Sequence, residues 1–96
     1  MKLENVLKEL QSIQTDLFIR KSEASLDVHP YGNEDDFIVV IAHNPNAEVP
    51  YTYSDGKPDV YNFITVRFFS FNEEDEVSEK LEKIKRFINH KGTWIN

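Results

Sequence analysis

The stretch of residues 60–71 constrains the fold of this chain most, because it is the richest apolar and aromatic run. Side chains of an extended strand alternate between two faces. One face of the predicted strand carries Val60, Ile64, Val66 and Phe68. The other face carries Tyr61, Phe63, Thr65, Arg67, Phe69 and Phe71. A strand that is apolar on both faces needs a covering on each side.

Two segments have the apolar periodicity of helices. Leucine, valine and isoleucine recur every three or four residues from about residue 3 to 17, which predicts the first helix. The second helix is predicted from about residue 73 to 91. Its apolar stripe consists of Val77, Leu81, Ile84, Phe87 and Ile88. Asn72 is a suitable N-cap, because its side chain can accept a free backbone N–H. Gly92 is suited to end the helix in a left-handed conformation.

Two further strands are predicted before the apolar run. Residues 24–30 alternate between apolar and polar, and residues 37–42 are continuously apolar, which is typical of a central strand. Turn-forming residues 31–35 lie between them and predict a hairpin. The hairpin is expected to place Asp27 roughly opposite Val39.

The segment of residues 44–59 is predicted to be a loop, because it contains three prolines and the turn signal Asp55-Gly56. A loop of this length is uncommon in a small domain and is often functional or disordered. Tyr51 and Tyr53 are predicted to form at most a short extended piece within it. Both are candidate partner contacts, because tyrosine is enriched at protein interfaces.

These elements predict a single α+β domain over residues 1–96, with the order α-β-β-β-α. The strands form a three-stranded antiparallel meander, and the N- and C-terminal helices pack on one face of it. The helix-covered face is expected to contain Leu26, Val28, Ile38, Val40, Ile64, Val66 and Phe68. The opposite face is the predicted interface and contains Phe37, Val39, Ile41, Tyr61, Phe63, Arg67 and Phe69. An uncovered apolar face of this size usually marks an interaction surface, although the loop or Trp94 could also cover it.

Composition limits the classes of function. A net charge of −6, from 17 acidic and 11 basic residues, disfavours nucleic-acid binding, which needs cations against phosphates. The absence of cysteine excludes disulfides, thiolate catalysis and cysteine zinc sites. No apolar stretch reaches the roughly 20 residues of a membrane span, and the N-terminus has no signal-peptide pattern. We therefore expect a cytoplasmic protein without membrane contact.

The leading hypothesis is a non-catalytic interaction protein that forms a homodimer through the predicted interface, since symmetric dimers are the commonest oligomers. The alternative is an acidic inhibitor or immunity-type protein that blocks a basic enzyme or toxin. It would use residues 73–79 and the Asp35–Asp36 turn. The acidic run at the start of the second helix comprises Glu73, Glu74, Asp75 and Glu76. A mainly structural role is favoured for this run, because acidic residues at a helix N-terminus are stabilised by the dipole.

A metal-dependent hydrolase is the least favoured class. The candidate ligands are His29, His43, His90, Asp27, Asp35 and Asp36. In the predicted hairpin His43 lies roughly 20 Å along the strands from His29, whereas zinc ligands each lie about 2 Å from the metal. Asp27 and His29 share a strand face and are expected to form at most a surface pair. No motif for nucleophilic catalysis or phosphate binding occurs, so no catalytic, cofactor or metal residue is predicted.

Overall fold

The computed structural model describes residues 2–32 and 36–95. This part of the chain contains two helices and six strands. The helices are α1 (Leu3–Ile19) and α2 (Glu74–Ile88). The strands are β1 (Ser25–Tyr31), β2 (Phe37–His43), β3 (Ala47–Thr52), β4 (Pro58–Tyr61), β5 (Phe63–Phe69) and β6 (Gly92–Thr93). Within the described residues, neither helix has the length and apolar character needed to cross a membrane.

The main sheet has the strand order β1-β2-β5, with both pairs antiparallel. This arrangement confirms the predicted α+β fold. Along the chain, the strands of the three-stranded antiparallel sheet follow the N-terminal helix and precede the C-terminal helix. The predicted hairpin register is wrong by two residues, because Asp27 lies opposite Ile41 and not Val39. Strand β1 continues to Tyr31, which pairs with Phe37. The connection between β1 and β2 therefore begins one residue later than predicted. A two-residue shift keeps every side chain on its predicted face.

Both helices pack on one face of the main sheet and form the core with it. The buried sheet residues are Leu26, Ile38, Val40, Ala42, Ile64, Val66 and Phe68. The buried helix residues are Val6, Leu10 and Leu17 from α1 and Val77, Leu81, Ile84, Phe87 and Ile88 from α2. Val28 is half-buried against this cluster. Each fully buried side chain of this size contributes about 1.5–3 kcal/mol, so the apolar stripes hold both helices in place.

We expect Leu81→Ala to lower the free energy of unfolding by about 2–3 kcal/mol. Removal of a buried leucine side chain costs about 2–5 kcal/mol, and the lower end applies because Leu81 keeps 6% of its surface exposed. Urea titration measures the change. A loss below about 0.5 kcal/mol, which is usual for surface positions, would show that this stripe does not face the core.

The prediction of one continuous strand over residues 60–71 is wrong, because the chain bends at Asn62 between β4 and β5. The Asn62 carbonyl accepts the backbone N–H of Asn44 at 2.8 Å. Its side-chain amide donates to the Ala47 carbonyl at 2.7 Å. The bend reorients the preceding residues, so Val60 is 47% exposed and does not join the helix-covered face.

The segment predicted as a loop forms a second sheet with the order β4-β3-β6. Strand β3 pairs antiparallel with β4 and parallel with β6. The Gly92 N–H donates to the Asn46 carbonyl at 2.8 Å, and the Trp94 N–H donates to the Glu48 carbonyl at 2.7 Å. Pro50 lies within β3 and weakens the strand signal in the sequence, since proline is confined mostly to edge strands.

Asn72 does not act as the N-cap of α2. Glu73 occupies that position, and its side chain makes no capping hydrogen bond. The Asn72 side chain accepts the Phe69 N–H at 2.7 Å and the Lys80 ammonium at 3.0 Å. It donates to the Glu76 carboxylate at 2.8 Å. Asn72 therefore closes the turn between β5 and α2.

The C-terminal end of α2 also differs from the prediction, because the helix ends at Ile88. The Asn44 side-chain amide donates to the carbonyls of Phe87 and His90, both at 2.8 Å. These contacts satisfy carbonyl groups that have no partner within a helix. Gly92 has the expected positive φ of 88°, but it lies in β6, beyond the helix end.

Candidate functional site

The outer face of the main sheet is the surface opposite the helices, and four cross-strand rows make it up. In order along the strands, the rows are Tyr31, Phe37 and Phe69; His29, Val39 and Arg67; Asp27, Ile41 and Thr65; Ser25, His43 and Phe63. Neighbours in a row have Cβ atoms about 4.5–5.5 Å apart. All predicted interface residues except Tyr61 therefore lie on this one surface.

Aromatic rings contact one another at the first end of the outer face. The rings of Tyr31 and Phe37 stack with centroids 4.7 Å apart, and Phe37 lies 6.2 Å from Phe69. Phe71 stacks on Phe69 at 5.0 Å and is itself 75% exposed. This end of the face is an apolar surface that remains open to solvent.

A second aromatic group lies at the other end and extends onto the β3–β4 hairpin. The His43 ring lies 6.2 Å from Phe63, and Phe63 stacks on Tyr61 at 5.2 Å. Tyr51 lies 4.8 Å from Tyr61 and 5.1 Å from Tyr53. Tyr61 belongs to β4 and not to the main sheet, but its ring joins the outer face through Phe63. The hairpin thus lengthens the predicted interface.

The charged groups of the outer face lie at its two edges. On β1, the Asp27 carboxylate contacts Nε2 of His43 at 2.9 Å. Asp27 is expected at most to form a surface pair with His29, but its contact is with His43, which the register of β1 and β2 places diagonally across from it. On β5, Arg67 is exposed, and its guanidinium has no ion pair within residues 2–32 and 36–95.

Neither of the predicted coverings lies over the outer face. Trp94 is 6% exposed and packs edge-on against Phe87 of α2, on the helix side of the sheet. The segment of residues 44–59 forms most of the β3–β4 hairpin, which lies beyond Phe63. Phe63 itself keeps 39% of its surface exposed. In the described part of the chain, the outer face is left to solvent.

The hairpin tyrosines are accessible, with Tyr51 41% and Tyr53 43% exposed. The Tyr53 hydroxyl donates to the Asp59 carboxylate at 3.0 Å. This hydrogen bond, together with the negative charge of Asp59, raises the pKa of Tyr53. The contact joins β4 to the segment after β3, so Tyr53 holds the hairpin together and also presents its ring to solvent.

The acidic run of the alternative hypothesis lies at the start of α2. Glu73, Glu74, Asp75 and Glu76 are all exposed. Asp36 is exposed as well, whereas Asp35 lies outside the described residues. The run therefore gives one exposed acidic surface at the start of α2.

We expect Glu73→Gln and Asp75→Asn each to lower the free energy of unfolding by less than about 1 kcal/mol. Exposed charges at a helix N-terminus contribute about 0.3–1 kcal/mol through the dipole. Urea titration of each variant is the measurement. Losses above about 2 kcal/mol would contradict the dipole explanation, because exposed carboxylates without a structural partner cannot contribute that much.

The histidines lie in separate environments. His43 contacts Asp27, whereas Nε2 of His90 lies 2.7 Å from the Thr93 carbonyl. The described residues contain no group of three or more metal-binding side chains. The candidate ligands His29, His43 and His90 are therefore not brought together.

The sequence-based prediction missed some residues of the outer face. The turn predicted over residues 31–35 includes Tyr31, although Tyr31 continues the alternation of Ser25, Asp27 and His29, and that pattern is enough to identify it. The sequence identifies His43 only as a candidate metal ligand. Its place beside Phe63 depends on strand pairing, which the local sequence does not reveal.

Comparison with protein-family models, with curated proteins and with solved structures finds no match.

Proposed function

We propose that this chain is a non-catalytic protein–protein interaction module that forms a homodimer through the outer face. The observation that supports it is the apolar surface formed by Phe37, Val39 and Ile41 on the central strand, with exposed rings at both ends. Covering such a surface contributes about 25 cal/mol for each Å² of apolar area removed from water. A monomer leaves this apolar area in contact with water and lacks that stabilisation.

A second copy of the chain is the proposed occupant. Most soluble homo-oligomers are symmetric dimers in which the same patch faces itself. Two sheets pack face to face about 10 Å apart, with their strands aligned within about 30°. The outer face has the phenylalanine, tyrosine and arginine content that is enriched in interfaces. Two outer faces can therefore bury one another in the manner of a β-sandwich core.

The mass of the chain in solution tests this proposal. We expect sedimentation equilibrium to give twice the chain mass of 11.3 kDa at micromolar concentration. A mass that stays at 11.3 kDa up to the highest soluble concentration would exclude self-association through any surface.

The acidic inhibitor is a second candidate function, favoured by the exposure of all four carboxylates at the start of α2. Such a surface suits a basic enzyme or toxin through charge complementarity. A basic protein that co-purifies with the chain, and is lost both at high salt and in the Glu73→Gln, Asp75→Asn double variant, would support this function. Retention of that protein by the double variant would contradict it.

A further inference from the structure

We propose that the two copies are related by a twofold axis that runs parallel to the strands, so that Arg67 of each copy forms an ion pair with Asp27 of the other. This inference rests on the proposed homodimer and adds the orientation of its subunits. It also names the polar contacts that fix the alignment of the two sheets.

The starting point is the distribution of charge on the outer face. Asp27 lies on edge strand β1 and Arg67 on edge strand β5, with β2 between them. Two strand spacings amount to roughly 9.6 Å, and the two residues also belong to different rows. Both side chains project to the same side of the sheet, and Val39 and Ile41 of β2 lie between the two edge strands, one in each row. Among the described residues, Asp27 and Arg67 of one chain form no ion pair, because their side chains project side by side from the sheet and not toward each other.

An axis parallel to the strands places β1 of one copy over β5 of the other. Each row then faces the same row of the second copy, so Arg67 lies over the partner's His29 and one row from the partner's Asp27. Side chains from both sheets extend into a gap of about 10 Å, and a long arginine side chain can span it to reach a carboxylate. Symmetry forms this ion pair twice.

The same axis places apolar groups on apolar groups. Val39 and Ile41 of β2 face their own copies at the centre. The row of Tyr31, Phe37 and Phe69 faces the same aromatic row. Offset or edge-on contacts between aromatic rings are favourable beyond the area that they bury. The charged edges and the apolar centre are therefore complementary in one and the same orientation.

An axis across the strands gives the opposite pattern of charge. It places β1 over β1 and β5 over β5, with the row order reversed. Arg67 then lies next to the partner's Arg67, and Asp27 lies next to the partner's Asp27. Like charges brought together at an interface are unfavourable by several kcal/mol. The charges on the outer face therefore select the axis parallel to the strands.

Two charge-reversal variants, measured separately and as a mixture, test the proposed orientation of the two subunits. We expect Asp27→Arg and Arg67→Asp each to raise the dimer dissociation constant at least about tenfold, because each variant faces like charges twice in its own homodimer. An equimolar mixture of the two variants should recover the wild-type affinity, since every pair in the mixed dimer joins opposite charges. Sedimentation velocity over a range of concentrations measures all three samples.

The controls are Lys8→Asp and Glu9→Arg, two exposed positions on α1 that change the net charge by the same amounts away from the outer face. Their dissociation constants should stay at the wild-type value. Dimers of Asp27→Arg and Arg67→Asp that are as tight as wild type, or a mixture that stays as weak as the single variants, would overturn the orientation and leave the homodimer standing. A monomeric wild-type chain would instead reject the homodimer itself.

Discussion

Asn44→Asp is expected to lower the free energy of unfolding by about 3–5 kcal/mol. The Asn44 side chain is 2% exposed and donates to the carbonyls of Phe87 and His90. Aspartate has nearly the same shape but no amide donor, so the His90 carbonyl loses its partner at about 1–3 kcal/mol, and the Phe87 carbonyl keeps only backbone donors such as the His90 N–H at 3.1 Å. The new carboxylate would also face carbonyl oxygens at the negative end of the α2 dipole. Urea titration followed by circular dichroism measures the loss.

Asn89→Asp is the matched control, because the Asn89 amide donates to the Lys85 carbonyl near the same helix end but at an exposed position. Water can replace that contact, so its loss should cost less than about 1 kcal/mol. Equal losses for Asn44→Asp and Asn89→Asp would contradict the role given to the buried amide.

Ile41→Glu is expected to raise the dimer dissociation constant at least about 1000-fold. Ile41 is half-buried on central strand β2, within the outer face. A symmetric interface through this face buries the new carboxylate twice, and each unpaired buried charge costs several kcal/mol. A cost of 1.4 kcal/mol corresponds to a tenfold change.

Val60→Glu is the control for this substitution. Val60 is 47% exposed in β4, and it points away from the side where the neighbouring Tyr61 joins the outer face. Its dimer affinity should equal that of the wild type, and circular dichroism should show that both variants are folded. A folded Ile41→Glu chain that dimerises normally would place the dimer contact elsewhere.

The two faces of the main sheet could be predicted from the sequence, because alternation in residues 37–42 and 63–69 depends only on local strand geometry. The bend at Asn62 could not. Tyr61 and Phe63 keep the two-residue period across the bend and make it invisible in the pattern. The bend depends on Asn44, which lies far away in the chain and contributes a backbone N–H.

The helix ends and the polar contacts of the site were predicted less well for a related reason. Asn72 has the residue type of an N-cap, but Lys80 and the Phe69 N–H engage its side chain. The pair of Asp27 with His43 follows from the register of β1 and β2, and the sequence-based register was two residues off. Local pattern fixes which face a residue occupies, whereas partners across strands depend on tertiary structure.

Contacts between two copies of the chain test the central claim most directly, namely that the outer face is covered by a second copy. Isotope-filtered NOE spectroscopy on a mixture of labelled and unlabelled chains detects only contacts between molecules. We predict intermolecular NOEs from the methyl groups of Val39 and Ile41, and from these methyls to the rings of Phe37 and Phe69. Intermolecular NOEs confined to the methyl groups of α1 or α2, or none at millimolar concentration, would contradict the claim.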